Sequence, residues 1–180
     1  MADTVFSIGH SNHTWADFSA LLRLHGIEAL VDARSNPVSK YADFANPRAL
    51  PRLLSQEGIA YEFMGDSLGG KPPDRSCYDE NGRPDYRKMR SREPFRAGVD
   101  RLLELAAKST VVLMCAEEDP RKCHRRLLIG PALVERDVKL LHIRGDGAIK
   151  VSEALGSKKA YQKQLQGMLW KIGMEGAAIR

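Results

Sequence analysis

The sequence has no long hydrophobic run. Nothing in its 180 residues approaches the ~20 apolar positions a helix needs to cross a bilayer, so no membrane partner is expected. Cysteine is scarce and odd in number. Cys77, Cys115 and Cys123 are the whole supply, which argues against the disulfide framework of a small secreted domain. The opening "MADTVFSIGH" lacks a basic leader and a sustained apolar stretch, so no secretory signal is expected, and the expected compartment is the reducing cytoplasm. Repeats and linker-like segments are missing as well. A single domain over 1–180 is the reading.

What is present fits a globular chain. Hydrophobic residues make up 43% and charged residues 28%, enough apolar mass for a core. The formal net charge of +5 favours anionic partners: a phosphate-bearing small molecule or nucleic acid. Apolar runs alternate with helical patterns. "TVFSIGH", "EALVDAR", "IAYEFM", "STVVLMCAE" and "VKLLHIR" read as strands. Between them, Trp15, Phe18, Leu21, Leu22 and Leu24 recur at helical spacing before Gly26, and "PRALPRLLSQEG", "EPFRAGVDRLLELAAK" and "PRKCHRRLLIGPALVERD" read as further helices. Residues 65–92 read as a long loop with one helical turn near Tyr86–Met89. A basic amphipathic helix is expected over 157–171. The class predicted is α/β, a three-layer Rossmann-like domain with a mainly parallel sheet of about five strands.

Ligands of such sheets bind at the carboxyl ends of the strands, where chain direction reverses. Here those ends carry His10, Ser11 and Asn12 after the first strand, and Asp32 and Arg34 after the second. "GDSLGGKP" follows the third, Cys115 and Glu117 the fourth, and His142 and Arg144 the fifth. "SIGHSN", "VDARSNPVSKYADFAN", "SLGGKP" and "CAEEDPRKCHR" together resemble the domain of unknown function 488 family, from about residue 6 to about residue 144. The most specific element is Cys-x-Glu-x-x-Pro-x-x-Cys-His-Arg, met by Cys115, Glu117, Pro120, Cys123, His124 and Arg125. "VDAR" departs from the valine expected before the arginine, which should cost packing and not chemistry. The resemblance implies the fold and a site at this edge, and assigns no reaction.

Residues 113–128, "LMCAEEDPRKCHRRLL", admit several readings. Asp119 and Pro120 suit a helix start, and Glu117 and Glu118 suit the positive end of a helix dipole, but none of these explains the cysteines. Zinc ligation by Cys115, Cys123 and His124 is disfavoured if the last two are helix neighbours, about 100° apart. Cys115 and Arg121 have the Cys-x5-Arg spacing of thiol phosphatases, but the carboxylates between them would repel phosphate and raise the thiol pKa. Asp32 and Glu117 with His10 could do acid–base work or hold a divalent metal such as magnesium, with Arg34, His124 and Arg125 receiving phosphate oxygens. A purely structural ion-pair network accounts for the same residues.

The expectation is therefore a hydrolase-type enzyme acting on a phosphate-bearing ligand. Its catalytic candidates are Asp32, Glu117, His10 and Cys115; its ligand-binding candidates are Ser11, Asn12, Arg34, Cys123, His124 and Arg125. The alternatives are a non-catalytic module binding nucleic acid or protein, and a thiol-dependent enzyme using Cys115. His13 is expected in solvent.

Overall fold

Six short strands carry the fold, in a computed structural model that describes residues 4–152. In chain order the elements are β1 (Thr4–Gly9), α1 (Trp15–Leu24), β2 (Ala29–Asp32), α2 (Leu50–Gln56), β3 (Ala60–Phe63) and α3 (Gly65–Leu68). Then come α4 (Tyr86–Arg90), α5 (Glu93–Ala106), β4 (Val111–Cys115), α6 (Gly130–Val134), β5 (Lys139–Ile143) and β6 (Ile149–Val151). The C-terminal helix expected over 157–171 lies outside the described residues. Among those described, no helix is long and apolar enough to cross a membrane.

The strand order is β3-β2-β4-β1-β5-β6. All neighbours are parallel except β5 and β6. β4, "VVLMC", is buried at every position, as a central strand covered on both faces must be. Relative to the dinucleotide-binding order 3-2-1-4-5-6, β1 and β4 have exchanged places. The chain leaves β1 toward β2 on one side and leaves β4 toward β5 on the other. Direction therefore reverses at the β1–β4 pair, where Gly9 is in register with Cys115.

Apolar side chains alternate between two cores, one on each face of the sheet. Ile8, Leu30, Val112 and Met114 pack with Phe18 and Leu22 of α1 and with Leu50 and Leu54 of α2. Val5, Val31, Val111 and Leu113 pack with Val99 and Leu102 of α5 and with Leu128 and Leu133 around α6. α1 is capped by Thr14, whose hydroxyl oxygen accepts from the Asp17 amide at 3.2 Å. The helix stops at Gly26, whose φ of +60° suits glycine. Leu24, placed on the apolar face by its spacing, is 68% exposed.

Three features depart from the sequence reading. β6 makes a sixth strand, against about five expected. It is three residues long, and the tight turn before it, with Gly147 at φ +82°, carries the only cue. Residues 65–92 are more ordered than a loop: α3, a 3-10 turn (Arg75–Cys77) and an antiparallel bridge between Tyr78 and Pro84 precede α4.

The third departure is the helix expected from Pro120, which is broken. A 3-10 turn (Pro120–Lys122) leads to Cys123 in extended backbone (φ −106°, ψ 145°), then a π-helical turn (Arg125–Ile129), then α6. Pro131 has no amide hydrogen and its ring excludes the Leu127 carbonyl from α geometry. The preceding turn widens instead, with the Gly130 amide donating to the Arg125 carbonyl.

Candidate functional site

The polar residues at the carboxyl edge fall into two buried networks, one per face of the sheet. The first is built on Asp32, at the end of β2 and fully buried. Arg34 grips its carboxylate with both arms, Nε donating to Oδ1 at 2.8 Å and Nη2 to Oδ2 at 2.6 Å. Arg34 Nη2 also donates to the Ala45 carbonyl at 2.6 Å, and Nη1 donates to His10 Nε2 at 3.2 Å. His10 is thereby fixed as an acceptor at Nε2, with Nδ1 donating to the Ser11 carbonyl at 2.9 Å. Burial holds its pKa below the ordinary histidine value. The Tyr61 hydroxyl donates to Asp32 Oδ2 at 3.2 Å, and burial together with the carboxylate raises the phenol pKa far above its usual value. Phe44 closes this side, edge-on to His10.

The second network lies on the α5–α6 face. Arg125 is fully buried in the π-helical turn and makes no ion pair among the described residues. Its Nε donates to Cys123 Sγ at 3.3 Å, Nη1 to Ser7 Oγ at 3.4 Å, and Nη2 to the carbonyls of Glu117 and Glu118. Because Ser7 Oγ accepts from Arg125, its proton goes to His142 Nδ1, 2.6 Å away. His142 Nε2 is then a buried N–H without a hydrogen-bond partner among the described residues. Burial and the Arg125 charge push the His142 pKa down to about 3.

Cys115, Cys123 and His124 meet beside Arg125. His124 Nε2 donates to the Ala33 carbonyl at 2.9 Å, leaving Nδ1 to face Cys115 Sγ at 3.6 Å and Cys123 Sγ at 3.8 Å. All three residues are buried, and the three donor atoms lie within 4.8 Å of one another. The thiols are coupled. Their mutual hydrogen bond and burial hold Cys115 well above the usual thiol range. The same bond, then His124 and Arg125, draws Cys123 well below it. The angular objection to zinc presumed a helix through residues 123 and 124. It does not apply, because Cys123 is extended and the helix begins after it.

Glycines let these parts meet. A Cβ on Gly9 would collide with the Glu117 carbonyl, and one on Gly65 with the Arg34 carbonyl. A Cβ on Gly70 would lie 2.8 Å from His124 Cβ. The Lys71 amide donates to Ser35 Oγ at 2.9 Å.

The family model for the domain of unknown function DUF488 matches residues 14–130. The chain belongs to the DUF488 family. The matched span of this DUF488 domain covers Asp32, Arg34, Cys115, Cys123, His124 and Arg125. It leaves out the Ser7–Asn12 and His142–Arg144 strand ends, which the resemblance had included. No curated protein and no solved structure matches the chain.

Of the site residues expected from sequence, the structure joins His10 with Asp32 and Arg34, and Cys115 with Cys123, His124 and Arg125. Glu117 is exposed and makes no ion pair among the described residues; its backbone, not its carboxylate, enters the second network. Ser11 and Asn12 line an open groove of about 380 Å³ at the ends of β1, β4 and β5, with His13, Glu118, Arg144, Gly145, Asp146 and Lys150. His13, expected in solvent, is a half-buried wall of this groove. Arg144 grips Glu118 at 2.6 and 2.8 Å and holds that carboxyl below its usual range. Sequence reasoning missed Ser7 and Tyr61 as network members. Both sit inside strands, and only the sheet register brings Ser7 opposite His142.

Proposed function

We propose that this DUF488 domain is an enzyme that hydrolyses or otherwise transforms a phosphate-bearing ligand, a nucleotide or nucleic acid, in the groove at the carboxyl edge of the sheet. The observation that carries the reading is the groove's lining. Ser11, Asn12, His13 and Lys150 offer hydroxyl, amide, imidazole and ammonium donors around a space of about 380 Å³. Arg34 and Arg125, first candidates for phosphate, are buried and turned to internal partners, so we assign the phosphate contacts to the groove residues. Glu117, exposed next to Glu118 of the groove wall and without an ion pair among the described residues, is assigned the general-base role. Asp32 and His10 hold Arg34.

The test is calorimetric titration of the full chain with AMP and with a short single-stranded oligonucleotide, plus turnover of phosphate esters. Lys150→Ala should weaken binding about tenfold, and Glu117→Gln should abolish turnover while leaving the circular dichroism unchanged. Absence of binding by either probe sinks the reading. Oligonucleotide binding that falls steeply with salt and ignores Glu117→Gln and Asp32→Asn would replace it with a non-catalytic module.

A second reading is favoured by one specific observation: Arg125 is a buried cation with no carboxylate partner among the described residues, which suits a thiolate beside it. The thiol of such an enzyme is Cys123, whose sulfur accepts from Arg125 Nε at 3.3 Å.

A further inference from the structure

We propose that Cys115 Sγ, Cys123 Sγ and His124 Nδ1 bind one zinc ion, with the fourth coordination position taken by a small anion or water. The distances fit. Tetrahedral zinc with its ordinary bond lengths separates sulfur from imidazole nitrogen by about 3.6 Å. The structure places His124 Nδ1 3.6 Å from Cys115 Sγ and 3.8 Å from Cys123 Sγ.

The surroundings are those of a ligand set and not of two stray thiols. Metal-binding histidines donate their second ring N–H to a carbonyl or carboxylate, which fixes the tautomer that presents a lone pair. His124 does this to Ala33. Each sulfur also has an N–H partner, the Glu117 amide for Cys115 and Arg125 Nε for Cys123. Gly70 packs where a side chain would push His124 out of place. Cys123 reaches the site only because the chain is extended there and the helix starts after it.

Two thiolates and an imidazole are soft and borderline donors, which select zinc over magnesium or calcium. A disulfide between Cys115 and Cys123 would use the two sulfurs but leave the pre-set His124 lone pair without a purpose. Charge favours an anion in the fourth position. Two thiolates cancel the zinc charge, Arg125 remains as one buried positive charge, and a hydroxide or a substrate oxyanion at the metal would neutralise it. The inference stands without the groove reading, because the metal alone is the probe.

The experiment is titration of the reduced, metal-free full chain with cobalt(II). One equivalent should produce thiolate-to-cobalt charge transfer in the near ultraviolet and strong tetrahedral bands in the visible, both erased by zinc. Cys77→Ser should titrate identically, and Cys123→Ser should lose about half the charge-transfer intensity, one thiolate of two. Should Cys123→Ser fail to fold, zinc-edge X-ray absorption of the wild-type zinc-loaded protein decides the matter. Sulfur scatterers at about 2.3 Å with a nitrogen at about 2.0 Å are expected. No charge-transfer band, a weak octahedral cobalt spectrum, or an oxygen-and-nitrogen shell at the zinc edge would overturn the proposal. If those negative results come with one rapidly alkylated thiol, Cys123 as a free thiolate takes its place.

Discussion

Asp32 and Arg34 show what a buried ion pair does at one residue's scale. The carboxylate is fully buried, the guanidinium is 4% exposed, and every oxygen faces a donor. Asp32→Asn removes the charge but keeps the shape, stranding Arg34 in a dry site. The expected cost is about 3–5 kcal/mol, read as a lower urea midpoint at unchanged m-value. A change below ~1 kcal/mol would mean that the pair is hydrated and not a structural anchor. The identities of Asp32 and Arg34 were legible in sequence, because both follow an apolar strand. Their pairing was one reading of the ion-pair network; the choice of Arg34 over Arg125 was not legible, because strand spacing does not tell which face of the sheet a loop side chain turns to.

The broken helix after β4 is the element on which the second network depends. A continuous helix over Pro120–Asp137 would carry Cys123 and His124 to different faces. The extended residue and the wide π turn bring both against Cys115 and push Arg125 inward. Gly9 is the matching concession on β1, since the Glu117 carbonyl that receives Arg125 passes over its bare Cα. Gly9→Ala sets a methyl against backbone that cannot retreat without dropping that bond. It is expected to destabilise by about 1–3 kcal/mol in thermal or urea unfolding. An unchanged stability would show that the β4 loop is free to shift. Pro131 was visible in the sequence, but its consequence was not: proline marks where α geometry must fail, not whether the chain kinks, widens or unwinds.

At the scale of the whole molecule, five parallel strands and their helices could be read from apolar runs and glycine stops. The sheet order could not. Exchanging β1 and β4 alters no local pattern, and it alone puts β1 beside β5, so that Ser7 faces His142; β1 and β4 are neighbours in either order. The price of burying His142 there should show in global stability. Its pKa is about 3 folded against 6.5 for the free side chain, so the unfolded chain binds the extra proton between those values. Stability should fall as the pH drops from about 6.5 toward 3, with up to about 1.4 kcal/mol per pH unit from this residue. His142→Asn should flatten that part of the profile in urea unfolding at stepped pH. An identical slope would assign the acid sensitivity to other groups.

Main-chain groups join the two polar networks: the Ala33 carbonyl, which follows Asp32, accepts from His124, and the His10 amide donates to the Cys115 carbonyl at 2.8 Å. Every chain has a carbonyl at every position, so the Ala33 joint does not depend on the side chain at 33, although that side chain is itself fully buried in the core. No substitution at 33 removes the acceptor, and ordinary mutagenesis reaches the joint from its donor, His124. Only an alteration of the main chain, such as an ester in place of the amide between residues 33 and 34, would weaken the acceptor itself. A scan of side chains 32 to 34 will therefore miss a joint that a change at His124 exposes.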